Sequence, residues 1–225
     1  MNLGFHYHVP VAVRNSQIWM PAYFGLFIDS IAPYCDKFVY FANSPNKNEI
    51  SRMDYNIKSK NVEIVNLGPH ISVPFRTMRA LPKIPKILRH QKSLDVLFLR
   101  APTPLLPLFR MFWQKPAVLL LVADDVAGVE NLPQPAWRKL LIKWWTYFNF
   151  SQQMQFSKRS LVFVNSQLLY EKYKHEIHNL RQTQTTTLSE TDFFERSDTC
   201  GNPPYHILFT GRLSRMKGLF GILEA

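Results

Sequence analysis

The residues best suited to chemistry stand near the end of the sequence. Gly211-Arg212 follows the apolar run His206–Thr210, and Lys217-Gly218 opens an amphipathic segment. Glycine at 211 permits a tight strand exit with no side chain in a ligand's way. Arg212 offers a planar fork of donors suited to phosphate, and Lys217 adds a second positive charge. The helix start behind them would contribute free N–H groups and the positive end of its dipole, so the group could stabilise a diphosphate, above all one becoming a leaving group. Taken alone, a Gly-Arg step with a lysine five residues on is more simply read as solvated charges around a turn.

Those residues need a strand to end just before them, and the rest of the chain supplies such strands repeatedly. Apolar runs mark strands at 3–8, 37–41, 62–65, 96–99, 118–122, 161–164 and 206–210. Several are continuous rather than alternating, as in strands covered on both faces. Helical patterns fall between them, at 18–31, 76–90, 105–112, 136–156 and 167–176. Strand alternating with helix predicts an α/β fold, a Rossmann-like doubly wound parallel sheet. In such a sheet ligands bind beyond the carboxyl ends of the strands. That rule selects His8 and Arg14, then Arg100 and the loop Ala101–Pro107, then Asp124 and Asp125, then Asn165 and Ser166. His6 alternates with His8 along the first strand; one of the two is expected only to pack, and His8 is nearer the exit.

The pattern of the predicted helix 136–156 is the clearest of all. Trp137, Leu140, Leu141, Trp144, Trp145 and Phe148 recur at helical spacing, with Arg138, Lys139 and Lys143 elsewhere. A basic, Trp-rich helix of this kind can lie on a membrane surface. The width of the apolar stripe favours the other reading, packing against the sheet. From Arg181 to Pro204 the periodicity dissolves into a polar stretch ending Gly201-Asn202-Pro203-Pro204, which reads as a linker. The expected domains are therefore 1–200, complete, and 201–225, a linker with the start of a second.

Composition narrows the function classes. Of 225 residues, 46% are hydrophobic, enough for a substantial core. Twenty-seven Lys and Arg against 16 Asp and Glu leave a net charge of +11, which favours acidic partners. Nucleic acid is not expected among them, because no recognition motif is present and the tryptophans sit at helix-core spacing. Cys35 and Cys200 form neither a disulfide framework nor a metal motif. No signal-peptide pattern opens the chain and no apolar run reaches a membrane span, so a cytoplasmic location is expected.

The stretch "ILFTGRLSRMKGLFGILEA" closely resembles the opening of the second domain of retaining GT-B glycosyltransferases of the family 4 group. "SLVFVNSQLLYEKY" resembles the last strand–helix unit of that family's N-terminal domain, and "LGFHYHVPV" occupies the place of its first unit. The resemblance implies a nucleotide-sugar donor, a glycan or lipid-linked acceptor, retention of anomeric configuration, and no metal or other cofactor. It implies that Gly211, Arg212 and Lys217 bind the donor diphosphate, and that His8, Arg14, Asp125 and Ser166 contact acceptor or sugar. Many relatives carry a His where this chain has Asp124. An acid there could hydrogen-bond a sugar hydroxyl or stabilise positive charge developing at the anomeric carbon, which makes Asp124 the catalytic candidate; capping of the next loop is the alternative. Relatives also carry a Gly-rich loop after the first strand, and "HVPVAVRNSQIWMP" has no glycine.

The resembling enzymes hold the donor mostly in a second domain of comparable size. This sequence reads as their acceptor-side domain with the beginning of the donor side, so the chain alone is expected to transfer sugar little or not at all. Two further partners follow as expectations: a separate subunit supplying the donor-side domain, and an anionic membrane surface at the inner face. A non-catalytic Rossmann-like binding module is the rival from another class.

Overall fold

The computed structural model describes residues 1–124, 126, 129 and 134–184. All of them lie in the first of the two units into which the chain divides, Met1–Thr187. The predicted strand 206–210 and the residues after it lie outside this set.

In chain order the elements are β1 (Asn2–His6), β2 (Ala12–Arg14), β3 (Gln17–Met20), α1 (Ala22–Ile31), β4 (Lys37–Ser44), β5 (Tyr55–Asn56) and β6 (Val62–Pro69). There follow α2 (Val73–Ala80), α3 (Ile84–Ser93), β7 (Val96–Ala101), α4 (Leu106–Phe112), β8 (Ala117–Leu121), α5 (Ala136–Ser157), β9 (Leu161–Val164), α6 (Gln167–Tyr173) and β10 (Leu180–Gln182). Seven strands form one parallel sheet in the order β10-β9-β8-β7-β1-β4-β6. The chain winds outward from β1 to β6, then returns to β7 on the other side of β1. Strand order therefore reverses between β1 and β7, which is where a doubly wound sheet opens its crevice.

Strand pleating sorts the core into two layers. Val39 and Phe41 of β4 face one way with Leu97, Leu99, Leu119, Leu121, Val162 and Val164, beneath Ala80, Ile87, Phe109, Phe156 and Leu169 of the helices. Phe38 and Tyr40 face the other way with Leu3 and Phe5, against Phe24 and Ile28 of α1. Helices cover both faces, and the fold is a Rossmann-like doubly wound α/β domain.

Two expected helices are different in the structure. The pattern at 18–31 is helical only from Ala22. Residues 17–20 instead form β3, paired antiparallel with β2 and β5 in a small second sheet. Asn15 and Ser16 make the turn at φ 50° and 61°, a geometry that Asn tolerates well and that suits a two-residue hairpin. Pro21 then caps the start of α1. The pattern at 76–90 is broken into α2 and α3 by a 3₁₀ turn at Leu81–Lys83. Pro82 and Pro85 each lack a backbone donor and crowd the preceding turn, so one continuous helix is unfavourable.

The small sheet is held on α1 by a close approach. A Cβ on Gly25 would stand 2.3 Å from the Tyr55 ring. Tyr55 donates its hydroxyl to Asp29 Oδ2 at 2.8 Å, and Asp29 also accepts from the backbone of Lys58 and Ser59 at 3.0 and 2.9 Å. Gly25→Ala should therefore lower unfolding stability by about 1–3 kcal/mol despite alanine's better helix propensity. Urea unfolding of Gly25→Ala in wild-type and Tyr55→Ala backgrounds checks this. An equal loss in both would show that the ring is not the obstacle.

Candidate functional site

Polar side chains gather at the carboxyl ends of β1, β4 and β6, next to the loop that follows β7. His6, at the end of β1, is wholly buried. Its Nδ1 lies 2.6 Å from the Phe41 carbonyl and its Nε2 2.8 Å from Thr103 Oγ1. A carbonyl can only accept, so Nδ1 carries the proton and Nε2 accepts from the threonine hydroxyl. Burial pushes the pKa of His6 down to about 3, only partly opposed by the Phe41 carbonyl. This is the packing histidine of the two.

His8 lies two residues on, half-buried, with Nδ1 3.3 Å from the Pro102 carbonyl. Burial, partly opposed by the Pro102 carbonyl and aided by the charge of Arg76, brings its pKa down to about 4. Near neutral pH it is an uncharged imidazole with Nε2 able to accept a proton or a hydroxyl hydrogen bond.

Arg76 of α2 is buried over the same edge and donates through Nε and Nη2 to the Ile71 carbonyl at 3.1 and 2.8 Å. Burial lowers its pKa, and Glu49 opposes that. Glu49 also meets His70, whose Nδ1 is 2.7 Å from the carboxylate. Burial and then Arg76 lower the pKa of His70, against the pull of Glu49. His70 Nε2 and Asn43 Oδ1 are buried with no protein partner among the described residues. One guanidinium and two largely neutral imidazoles thus converge at the carboxyl ends of β1, β4 and β6. Such a group can hold an anionic oxygen through Arg76 and orient hydroxyls through the imidazoles.

The other sequence-derived candidates fall at separate points of the same edge. Arg14 is exposed on β2, at a cavity of about 280 Å³ lined also by Val11, Asn43, Ser44 and Asn66. Asp124 follows β8, accepts from Val126 N at 3.1 Å, and is ion-paired with Lys172 of α6. Burial works against the Lys172 charge, but the Asp124 carboxylate outweighs it and holds the ammonium above its usual pKa. Ser166 is the N-cap of α6, accepting from Leu169 N at 3.3 Å. Asp125, Gly211, Arg212 and Lys217 lie outside the described residues. Among the described residues no group of His, Cys, Asp or Glu is arranged to hold a metal ion.

His70 escaped the sequence reading for a definite reason, and Arg76, inside α2, follows no strand end that could have pointed to it. The strand expected at 62–65 runs on to Pro69, through Gly68 at φ 115°. With the true strand end, the after-strand rule would have selected His70 directly. Arg100 is held by stacking, its guanidinium 4.9 Å from the Tyr7 ring and 5.1 Å from Phe27. Compared with known protein families and with curated proteins, the chain matches none.

The buried imidazole makes an acid test. His6 has the ordinary value of 6.5 when unfolded and about 3 when folded, so the unfolded chain binds more protons below pH 6.5. Its contribution is intact above pH 6.5 and is lost as pH falls toward 3, on the order of 2–3 kcal/mol by about pH 4.5. Urea unfolding near neutral and near pH 4.5 should show this loss. His6→Asn should be less stable at neutral pH yet lose less on acidification. Parallel losses in both proteins would remove His6 as the source.

Proposed function

We propose that this chain is the acceptor-side domain of a retaining GT-B glycosyltransferase, which moves a hexose-type sugar from a nucleoside diphosphate to a glycan or lipid-linked acceptor. What supports the reading is the cluster of His8, His70 and Arg76 at the carboxyl ends of the strands, joined to the sequence resemblance that runs from the first strand to residues 206–225. Neutral His8 and His70 suit a hydroxyl-rich acceptor, and Arg76 suits an anionic group on it, such as the phosphate of a lipid carrier.

In this mechanism Arg212 and Lys217 stabilise the departing diphosphate. The bond from the anomeric carbon to the diphosphate oxygen breaks, the acceptor oxygen bonds to the same face, and the acceptor proton passes to the diphosphate. Asp124, paired with Lys172, faces the sugar as a hydrogen-bond acceptor. No metal is required when two cations hold the leaving group.

The test incubates the full chain with uridine and guanosine diphosphate hexoses and a lipid-linked glycan extract, reading nucleoside diphosphate release and product anomer. Release should depend on acceptor and retain configuration. Arg76→Ala and Arg212→Ala should each reduce it about tenfold or more. Glycan binding with no release under any donor would instead assign a non-catalytic binding module.

A further inference from the structure

Helix α5 was expected to pack its apolar stripe on the sheet. Trp137, Leu140, Leu141 and Trp144 are exposed instead, and the helix is buried through Asn149, Gln153, Phe156 and Ser157. The opposite mismatch, polar groups shut in without partners, stands at the carboxyl ends of β4 and β6. Asn43, the last residue but one of β4, is only 1% exposed. Its Nδ2 donates to the Gly68 carbonyl at 3.2 Å, and its Oδ1 is buried with no protein partner among the described residues. Reversing the amide would set one carbonyl oxygen against another, so the unmet atom is an acceptor. By strand alternation Asn43 falls on the face of Phe41, the side that α2 and α3 cover and where Arg76 is buried.

His70 offers a second acceptor, and its setting is rigid. Its backbone N–H donates to the Ser44 carbonyl at 2.7 Å, its carbonyl accepts from Asn46 Nδ2 at 3.4 Å, and its Nδ1 meets Glu49 Oε1 at 2.7 Å. Glu49 is itself held, because Oε2 accepts from Asn46 N at 3.0 Å in a capping box. A carboxylate only accepts, so Nδ1 carries the proton and Nε2 presents a lone pair. That nitrogen too is buried with no protein partner among the described residues. His8, its Nδ1 turned to the Pro102 carbonyl, presents a third lone pair through Nε2.

Arg76 adds charge to these acceptors. The Ile71 carbonyl takes Nε and Nη2, which fixes the guanidinium plane and leaves Nη1 uncommitted among the described residues. His8, His70 and Arg76 lie close enough to bias one another's charge. Lone pairs beside a guanidinium define what the cluster takes. Inorganic phosphate would satisfy Arg76 but bring further lone pairs to Asn43 and His70. An ammonium group would donate to both, yet meet the like charge of Arg76. A neutral polyol would supply hydroxyl hydrogens and leave the strong, charge-assisted bond to the guanidinium unused. Phosphate and hydroxyls on one molecule meet every demand.

We propose that Asn43, His70 and Arg76 form a subsite for a phosphorylated sugar. The phosphate pairs with Arg76 through Nη1, two sugar hydroxyls donate to Asn43 Oδ1 and His70 Nε2, and His8 receives a further hydroxyl. As the acceptor of the transfer this ligand rests on the transferase reading, which it narrows to an acceptor carrying phosphate on the sugar itself. As a binding site the cluster stands without that reading.

The experiment titrates the isotope-labelled full chain with inorganic phosphate, methyl glucoside and glucose 1-phosphate. Backbone amide shifts read affinity, and ring-nitrogen resonances read the state of His70. Glucose 1-phosphate should bind at least about tenfold more tightly than either other ligand, as two added hydrogen bonds imply. The His70 Nε2 resonance should move to a hydrogen-bonded position with glucose 1-phosphate and stay in place with phosphate. Asn43→Leu and His70→Phe should each cost about three- to tenfold in glucose 1-phosphate affinity and leave phosphate binding within about twofold. Circular dichroism checks the fold of both; where a variant unfolds, the ring-nitrogen resonance of the unaltered protein decides. Equal affinity for phosphate alone would reduce the cluster to an anion site, and equal affinity for methyl glucoside would remove the phosphate contact. Either result overturns the proposal, as do an unmoved Nε2 resonance and folded variants that keep the preference. No sugar donor is present, so failure leaves the transferase reading standing with its acceptor bound elsewhere, and binding without transfer leaves the subsite standing.

Discussion

A neutral imidazole buried where strand order reverses sets much of this architecture. His6 is inaccessible to water, so each ring nitrogen must find a protein partner or cost the fold a desolvated polar group. One nitrogen reaches across to Phe41 of β4 and the other to Thr103 beyond β7. The two strands flanking β1 are thereby tied at the point where the crevice opens. Thr103 then passes the constraint on, since its carbonyl accepts from Asn149 and so fixes the height of α5 against the sheet. A chain of contacts from Phe41 through His6 and Thr103 to Asn149 thus ties three strands of the sheet to the long helix beside it.

The same buried edge explains the electrostatics around it. Arg76 keeps its charge inside because the Ile71 carbonyl takes two of its donors and Glu49 lies near. That retained charge helps to keep His8 and His70 uncharged. A second cation so close would raise the cost of burial, whereas a neutral ring preserves an acceptor nitrogen near neutral pH. The site thus separates its roles, with fixed positive charge on the guanidinium and hydrogen-bond acceptance on the imidazoles.

Much of the sheet was legible from the sequence because parallel strands buried on both faces read as apolar runs, as at 118–122 and 161–164. The misreadings came from periods that two structures share. Ile18, Trp19 and Met20 fit a helical stripe and a strand equally well, and the deciding signals were Asn15-Ser16 and Pro21. The strand expected at 62–65 continued past Val65 through Asn66 and Gly68 to Pro69, and His70 was lost with the misplaced end. Asp124 and Ser166 were correctly placed at strand exits, but periodicity could not foresee that one would meet Lys172 and the other cap α6. Those pairings depend on where neighbouring helices stand.

Helix α5 carries the same lesson further. A hydrophobic stripe tells that a face avoids water, not what covers it. Length could have decided the matter. The neighbouring strands β8 and β9 have 5 and 4 residues, whereas α5 has 22. At about 3.3 Å per residue a strand of that size spans roughly 17 Å, while 22 helical residues span about 33 Å. Half of the helix has no strand beneath it to pack on. An apolar stripe concentrated in that half, as the tryptophans are, belongs to a surface that the sheet cannot bury, and something other than this domain's core must account for it.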